Sequence, residues 1–300
     1  MPSPLKLTFV VATRDRPDEL IRMWRSLRSQ SRVPDEVVIV DASARPSTLV
    51  GPQAGPPALC YIRTAVASAT RQRNIGLDAV RPEAGLVGFL DDDAVLEEGA
   101  VEEMLRFWEG ADGAVGGAAF NMTNHPPLRA ARWKSLPFVE HAGIYGRKPG
   151  VVLKSGFQTM IGTVAETTPT AWLPSTASVW RREVLRHHRF DEWFDGYSYL
   201  EDLDFSYGVG KSLVLKVVAG ARYAHHPQAS SRLDPFRFGR KEVANRLYFV
   251  RKNPELSPGL CRLALCLRML MSLADGILRG KGQELRRARG NLVSLLNCGR

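Results

Sequence analysis

Three consecutive aspartates, Asp91, Asp92 and Asp93, follow the apolar segment Leu86–Leu90. Carboxylates this close repel one another unless a cation or solvent screens them. Their hard oxygen ligands suit Mg²⁺ or Mn²⁺, and Mg²⁺ usually completes its coordination with water and phosphate oxygens. A helix start is the alternative, but a single aspartate would be enough to cap one. The triplet therefore favours a divalent-cation site beside a phosphate-bearing ligand.

A second acidic cluster contains Glu201, Asp202 and Asp204, and it lies between the aromatic residues Tyr199 and Phe205. Burial and like charge raise the pKa of a carboxyl group towards values that suit a general base. The alternative is an ordinary helix N-terminus, where acidic residues favour the helix dipole. Asp202 is therefore a candidate base.

Two further pairs could serve the same chemistry. His225 and His226 follow an apolar segment, and in a chain with an acidic metal motif either histidine could be a third metal ligand; a structural role is equally compatible with the pattern. Arg73 and Asn74 lie on a helix predicted over residues 68–80, from which they could reach a diphosphate. A solvated helix face is the alternative for this pair.

The glycine-rich loops that usually bind nucleotide phosphates are missing from the sequence. Neither Gly-x-Gly-x-x-Gly nor a Gly-Lys-Ser/Thr loop occurs. A nucleotide would therefore be held by carboxylates, a metal and arginines. This excludes the ordinary dinucleotide-binding and P-loop classes.

The elements that must position these residues alternate along the first 120 positions. Strands are predicted at residues 5–12, 36–40, 58–62, 86–90 and 114–120. Helices are predicted at about residues 17–27, 68–80 and 97–108. Alternation of this kind predicts a mostly parallel central sheet covered by helices on both faces, with polar residues gathered beyond the carboxyl ends of the strands. Regular structure is expected again at residues 171–173, 181–186 and 213–218, before a helical tail that begins near residue 235.

Five segments in this order resemble the family 2 glycosyltransferases, which have the GT-A fold: FVVATRDRP (9–17), VVIVD (37–41), RNIGL (73–77), FLDDD (89–93) and YLEDLDF (199–205). The resemblance covers roughly residues 5–230. It implies a GT-A type α/β domain over 1–230, in which residues 1–120 bind the nucleotide sugar and 121–230 bind the acceptor. Residues 231–300 form a separate helical tail.

The resemblance also implies roles for single residues. The nucleotide sugar would be bound by Ala12, Thr13, Arg14, Asp41, Arg73, Asn74, Asp91 and Asp92. Mn²⁺ or Mg²⁺ would be bound by Asp91, Asp93 and His225. Asp202 would be the catalytic base, and the acceptor side would include Glu201, Trp172 and Ser178.

The implied reaction is an inverting, metal-dependent transfer of a hexosyl or deoxyhexosyl group from a nucleoside-diphosphate sugar to a hydroxyl. The acceptor would be a cell-surface glycan or a lipid-linked precursor. The chain lacks the Gln-x-x-Arg-Trp motif of processive members and has no transmembrane segment, so we expect addition of one or a few sugars. A nucleotidyltransferase acting on sugar phosphates is the enzymatic alternative, although the glycine-rich loop expected of one is missing.

Charge is distributed unevenly, since residues 231–300 hold 15 basic and 5 acidic side chains and account for the whole net charge of +10. An amphipathic basic tail predicts contact with an anionic membrane surface. A packing helix with a solvated face, or a homodimer contact, is the alternative. A nucleic-acid-binding protein that uses this tail is the non-enzymatic alternative, but no recognisable module supports it and we expect no nucleic-acid partner.

Composition and cysteine spacing indicate a globular protein of a reducing compartment. Apolar residues make up 44% of the chain and charged residues 24%, which excludes wholesale disorder. The four cysteines show no metal-binding spacing and predict free thiols. Without a recognisable secretion signal, we expect a cytoplasmic location, which could include peripheral attachment to the cytoplasmic face of the inner membrane.

Overall fold

Strands and helices alternate along the first part of the chain in the computed structural model, as the sequence predicts. The structure describes residues 5–47, 55–126, 140, 142–227 and 233–297. These residues fall into two compact units. The first unit comprises Met1–Pro127 with Gly162–Pro227, and the second comprises Leu128–Ile161 with Gln228–Arg300.

In the first unit, the described residues form one nine-stranded sheet and five helices. The strands are β1 (Leu7–Thr13), β2 (Glu36–Asp41), β3 (Ala58–Arg63), β4 (Leu86–Leu90), β5 (Ala94–Leu96), β6 (Val115–Met122), β7 (Thr168–Thr170), β8 (Ala177–Arg181) and β9 (Val214–His225). The helices are α1 (Pro17–Arg28), α2 (Ala69–Ala79), α3 (Ala100–Glu109), α4 (Arg182–His187) and α5 (Glu201–Gly210).

The predicted α/β architecture, a central sheet flanked by helices, is confirmed, and parallel pairing is concentrated in its first half. The strand order is β3-β2-β1-β4-β8-β6-β9-β5, and β7 pairs with β9. Strands β3, β2, β1 and β4 run parallel. Strand β8 is antiparallel to both neighbours, β6 and β9 are parallel, and β5 and β7 are antiparallel to β9. The sheet is therefore mixed.

Burial on both faces explains why the central strands read as continuous apolar runs. Strands β2 and β4 are buried along their whole length, and β1 along nearly all of it. Helix α2 lies directly on this surface at Gly76, where a Cβ atom would overlap the side chain of Val10. This close approach brings the preceding turn of α2, with Gln72 and Arg73, near the strand ends.

Strand β9 is longer than the predicted strand at residues 213–218, and its extension matters for the site. Its pairing with β6 shifts register between Phe120 and Asn121, so three residues of β9 are passed over before pairing resumes at Arg222. The strand then continues to His225, which pairs with Ala94 of β5. The expectation of regular structure at 171–173 was wrong by a few residues, because the short strand there, β7, ends at Thr170.

The second unit contains the helical tail, whose helical nature is confirmed. Its described helices are α6 (Pro235–Lys252), α7 (Pro258–Leu278) and α8 (Gly282–Asn297). Side chains of Asp234 and Ser257 cap α6 and α7. Glu242 accepts two hydrogen bonds from Arg287, which ties α6 to α8. Among the described residues, no helix combines the length and the apolar character needed to span a bilayer.

Candidate active site

Polar residues collect at the carboxyl ends of β1, β2 and β4, where ligands bind in open α/β sheets. Gln72 of α2 lies under this edge. Its side-chain amide donates to the carbonyl oxygens of Thr13, at 2.9 Å, and Val40, at 2.8 Å. These two bonds fix the ends of β1 and β2 relative to each other.

One oxygen each from Asp91 and Asp93 and one ring nitrogen of His225 lie within 4.8 Å of one another. Pairing of β5 with β9 produces this group, because His225 lies opposite Ala94, the residue after the aspartate triplet. Two carboxylate oxygens and an imidazole nitrogen form a donor set that accepts Mn²⁺ or Mg²⁺. We call Asp91, Asp93 and His225 the metal-type group. The exposed residue His226 contributes only its backbone N–H, which donates to the carbonyl oxygen of Asp93 at 3.0 Å.

Electrostatics within this group favour an ionised carboxylate. Nε2 of His225 lies 3.0 Å from Oδ1 of Asp93. Burial alone would raise the pKa of Asp93, but the hydrogen bond and charge of His225, together with the charge of Arg16, lower it overall. Burial lowers the pKa of His225, and the same partner, Asp93, raises it overall.

Asp92 is held differently from its two neighbours. It is buried, and its carboxylate accepts hydrogen bonds from Oγ1 of Thr13, at 2.7 Å, and from Arg16, at 2.8 Å. Burial raises the pKa of Asp92 to about 6, against the opposing effect of Arg16. Asp92 and Thr13 thus join the triplet to the end of β1. Arg16 was not singled out in the sequence, although it lies within the first motif.

The second acidic cluster begins helix α5. The residue before this helix, Leu200, has a φ of 76°, a left-handed conformation that is uncommon for a side chain of this size. Asp202 accepts from the N–H of Leu203 at 2.7 Å, and burial raises the pKa of Asp202 to about 6. Burial and the neighbouring charge of Asp202 raise the pKa of Glu201, although Arg73 acts in the opposite direction.

Arg73 joins the two acidic clusters. Its guanidinium donates to Oε1 of Glu201 at 2.9 Å and to Oδ1 of Asp91 at 2.8 Å, and the whole residue is only 4% exposed. Charge-assisted bonds at two ends of one planar group fix the two carboxylates relative to each other. Ser175, 3.4 Å from the same oxygen of Glu201, adds a weaker contact.

Asp41 lies in a cavity of about 310 Å³ at the ends of β1 and β2. Its carboxylate is fully buried and accepts from the hydroxyl of Tyr61 and, at 2.7 Å, from the N–H of Ser43. Arg63 lies 3.7 Å from the same carboxylate. The cavity is lined by Thr13, Asp15, Arg16, Pro17, Leu20, Asp41, Ser43, Ala44, Arg45, Pro46 and Ser47.

Three further predicted nucleotide-binding residues lie apart from this lining. Ala12 is a half-buried residue within β1. Arg14 is exposed, and its guanidinium lies 3.5 Å from Asp15. Asn74 is buried; its amide donates to the carbonyl of Phe190 at 2.9 Å and its oxygen accepts from the N–H of Phe190 at 3.1 Å. Asn74 therefore anchors the loop that precedes α5.

Some residues of the acceptor side are buried, and others are exposed. Ser178 is fully buried in β8, and its hydroxyl accepts from the indole of Trp180 at 3.0 Å. Trp172 is buried as well. By contrast, Trp193 is 44% exposed and Tyr197 45% exposed, and both lie in the loop that leads into α5. The structure therefore brings these two aromatic rings, rather than Trp172 and Ser178, to the surface beside the second acidic cluster.

Comparison with known families agrees with this arrangement. The model of the family described as glycosyl transferase family 2 matches residues 8–187. The chain belongs to glycosyl transferase family 2. The match includes the aspartate triplet and ends before Asp202 and His225. Membership supports a glycosyltransferase over the nucleotidyltransferase and nucleic-acid-binding alternatives.

Solved structures share the fold of this family 2 chain at low sequence identity. The mannosyltransferase PcManGT from Pyrobaculum calidifontis, in complex with GDP-Man and Mn²⁺, is 13% identical, with a TM-score of 0.57 over 99% of this chain and 88% of that one. S. aureus TarS 1-349 in complex with UDP-GlcNAc is 14% identical, with a TM-score of 0.54 over 93% of this chain and 75% of that one.

The longer S. aureus TarS structure is 15% identical, with a TM-score of 0.54 over 90% of this chain. The present chain matches only 44% of that structure's length. A search of curated protein sequences finds no significant match. These likenesses establish a GT-A-like fold.

Proposed function

We propose that this family 2 glycosyltransferase transfers a sugar from a nucleoside-diphosphate sugar to a hydroxyl acceptor, with inversion at the anomeric carbon. The observation that carries the proposal is the Arg73 bridge. It holds Asp91 of the metal-type group and Glu201, the neighbour of Asp202, on one guanidinium. A group suited to the leaving diphosphate and a group suited to the attacking hydroxyl are thereby fixed at one site. PcManGT bound to GDP-Man and TarS bound to UDP-GlcNAc support this donor class.

The donor would lie along the ends of β1, β2 and β4. The cavity that contains Asp41 has room for a nucleoside, and Thr13 and Arg16 lie between that cavity and the aspartate triplet. Asp91, Asp93 and His225 would hold Mn²⁺ or Mg²⁺. When bound, the ion neutralises the negative charge that develops on the departing diphosphate.

Asp202 is the proposed base. With a pKa of about 6, its carboxylate is ionised at neutral pH and is still basic enough to accept a proton. Asp202 takes the proton of the acceptor hydroxyl while that oxygen forms a bond to the anomeric carbon. The bond from the anomeric carbon to the diphosphate breaks on the opposite face, so the configuration inverts.

The acceptor would contact the loop before α5. Trp193 and Tyr197 expose flat apolar faces of the kind on which sugar rings stack, and the loop also carries Asp191, Glu192 and Asp195. These carboxylates repel an anionic group, so a neutral sugar ring is the acceptor chemistry that fits the loop best. Glu201 would position this acceptor, and buried Trp172 and Ser178 would support the surface from within.

Our remaining proposals concern the extent of transfer and its place in the cell. We expect addition of one or a few sugars to a glycan or lipid-linked acceptor. Cys60, Cys261 and Cys266 are free thiols, as is typical of a reducing compartment, and this supports a cytoplasmic location. Cys298 lies outside the described residues.

A homodimer contact through the C-terminal helices is the alternative to contact of these helices with a membrane.

A donor screen tests the reaction. The purified chain is incubated with UDP-, GDP- and dTDP-sugars in Mn²⁺ or Mg²⁺, with neutral sugar acceptors, and released nucleotide is measured. We expect release that needs both a divalent ion and one donor class, and NMR of the product should show the inverted anomer. Retention of configuration would contradict the single-displacement route, and full activity in excess EDTA would contradict the role of the metal-type group.

A further inference from the structure

Helix α7 carries large apolar side chains on an outward row. Leu263, Leu270 and Ile277 are spaced by seven residues, close to two helical turns, so they lie along one side of the helix over about 21 Å. Leu270 is 52% exposed and Ile277 66% exposed. Leu273 and Leu278 are exposed beside this row. The exposed apolar side of α7 is therefore wider than a single row of side chains.

The inward face of α7 buries one large apolar side chain, Leu265, among smaller residues. The smaller buried residues are Cys261, Ala264, Ser272 and Gly276. At Gly276 a Cβ atom would overlap the side chain of Leu285 on α8, so the small residue permits close packing of the two helices. A helix stabilised only by its own unit would bury its largest apolar side chains. Helix α7 buries Leu265 but leaves Leu263, Leu270, Leu273, Ile277 and Leu278 exposed.

The charged residues of α7 lie away from the outward row. At 100° per residue, Arg262, Arg268 and Asp275 project from the other sides of the helix. The inward position of Arg268 agrees with its ion pair, 3.5 Å from Glu242 of α6. The structure describes every residue from Leu263 to Ile277, and no charged side chain interrupts the apolar row between them.

Helix α8 exposes apolar side chains as well. Leu285, Leu292 and Leu296 are exposed on it. Of the large apolar side chains exposed in the described part of the chain, all but Met160, Trp193, Tyr197 and Val214 belong to these two helices. We call the following set the leucine face: Leu263, Leu270, Leu273, Ile277, Leu278, Leu285, Leu292 and Leu296. Concentrations of this kind mark interaction surfaces.

We propose that the leucine face inserts into one leaflet of an anionic lipid bilayer, with α7 and α8 lying along the membrane surface. The charge of the region identifies this partner, because residues 231–300 hold 15 basic and 5 acidic side chains. Arg262, Arg286 and Arg289 are exposed on the same two helices. Apolar side chains flanked by basic ones are the pattern of helices that lie in an interface rather than cross it. Membrane binding of this kind uses no catalytic residue, so it can be tested separately from sugar transfer.

A second copy of the chain is a poorer occupant. Seven-residue spacing also suits a helix pair, but residues 258–297 hold seven basic and two acidic side chains, so pairing two copies would bring like positive charges together. Like charges oppose that contact, whereas anionic headgroups are attracted to the same surface. The leucine face is also wider than the contact stripe of a coiled coil, which has only two apolar positions in every seven residues.

Co-sedimentation of the full-length chain with vesicles tests the proposal. The vesicles contain either phosphatidylcholine alone or phosphatidylcholine mixed with phosphatidylglycerol. We expect binding to the mixed vesicles. The double variant Leu270→Gln/Ile277→Gln should lower the partition coefficient by roughly tenfold, since each of these half-exposed side chains loses part of its apolar burial. The variant Arg262→Gln/Arg289→Gln should reduce the preference for anionic lipid.

Met160→Gln is the matched control, because Met160 is equally exposed in the same unit but lies outside the leucine face. It should bind vesicles like the wild type, and circular dichroism should show that all variants fold. Equal binding of the wild type and the leucine-face variant would overturn the proposal. So would a wild-type dimer in sedimentation velocity that Leu270→Gln/Ile277→Gln converts to a monomer without any change in vesicle binding.

Discussion

Two clusters of carboxylates lie in the first unit, and their environments act on them in opposite directions. In the metal-type group, His225 and Arg16 lower the pKa of Asp93, so this side chain stays anionic. At the start of α5, burial raises the pKa of Asp202 to about 6, so this side chain can take up a proton near neutral pH. The same residue type is thus prepared for cation binding in one place and for proton transfer in the other.

The two clusters also differ in how the chain assembles them. The metal-type group needs β5 to pair with β9, which brings His225 beside aspartates far upstream in the sequence. Glu201 and Asp202 are neighbours on one helix. Arg73 is the direct link between the clusters. If this division of roles is correct, substitutions in the two clusters should fail in distinguishable ways.

The largest effect is expected at Asp93. Asp93→Ala removes an anionic ligand and leaves His225 without its partner, so it should abolish detectable transfer. Stabilisation of the leaving group by a metal amounts to several kcal/mol, which corresponds to roughly a thousandfold or more in rate. Calorimetric titration with Mn²⁺ should show weakened ion binding, and circular dichroism should show an intact fold.

The adjacent histidines provide a matched pair for the same test. His225→Ala should weaken Mn²⁺ binding, because its ring belongs to the metal-type group. His226→Ala should not, because only the backbone of His226 contacts Asp93. A folded Asp93→Ala variant with near wild-type turnover would remove the metal role from this group, as would equal effects of the two histidine substitutions.

At Asp202 we expect loss of turnover with donor binding preserved. Asp202→Asn keeps the shape of the side chain and removes the proton acceptor. Transfer should fall by roughly 10²–10⁴, the usual contribution of general-base catalysis, while donor affinity stays within a few-fold. Asp204→Asn makes the same change two residues further along α5 and should have little effect. Glu201→Gln should be milder than Asp202→Asn, and the reverse order would move the base to Glu201.

Arg73 tests whether the two clusters act together. Arg73→Gln leaves Asp91 and Glu201 without their shared cation, so the free energy of unfolding should fall by about 3 kcal/mol. Turnover should fall by roughly tenfold or more, since misplaced catalytic groups carry a large cost. Arg73→Lys keeps the charge without the two-ended geometry and should restore stability more than turnover. Full recovery of turnover in the lysine variant would show that charge alone is needed.

The pH dependence sharpens the contrast between the clusters. A base must be ionised to accept a proton, so kcat/KM should rise with pH through about 6, the pKa of Asp202. Below that value the rate should fall roughly tenfold per pH unit. The residual activity of Asp202→Asn should not show this fall at acidic pH. If the variant still shows it, the fall is caused by another titrating group.

The sequence was most informative where function follows local composition. The triplet Asp91, Asp92 and Asp93 after an apolar strand predicted the metal chemistry, and alternating elements predicted the α/β sheet. What the sequence could not provide depends on distant pairing. The residue pattern alone left His225 and His226 open and only the resemblance favoured His225, whereas the pairing of β9 with β5 places the ring of His225 beside Asp93. The partners of Arg73 become visible only when α2 and α5 are placed together.

The sequence also did not reveal which of the candidate side chains are buried. Trp172, Ser178 and Trp193 all have side chains that could face an acceptor, and sequence alone gives no reason to separate them. Sheet position decides the matter, because Ser178 lies in β8 between β4 and β6 and is therefore covered. Asn74 is similar: it lies in a motif shared with the family, yet its amide bonds the backbone of Phe190 and the carboxylate of Glu192.

The smallest effect is expected on the acceptor side of the second cluster. Trp193→Ala removes an exposed ring from the loop before α5, so KM for a neutral sugar acceptor should rise roughly fivefold, equivalent to about 1 kcal/mol of ring stacking. Donor affinity and Mn²⁺ binding should be unchanged, since Trp193 lies apart from the metal-type group. Trp193→Phe should recover most of the loss because it keeps an aromatic face. If the alanine variant instead lowers kcat at saturating acceptor, Trp193 holds the loop in place, and the acceptor surface must be sought elsewhere.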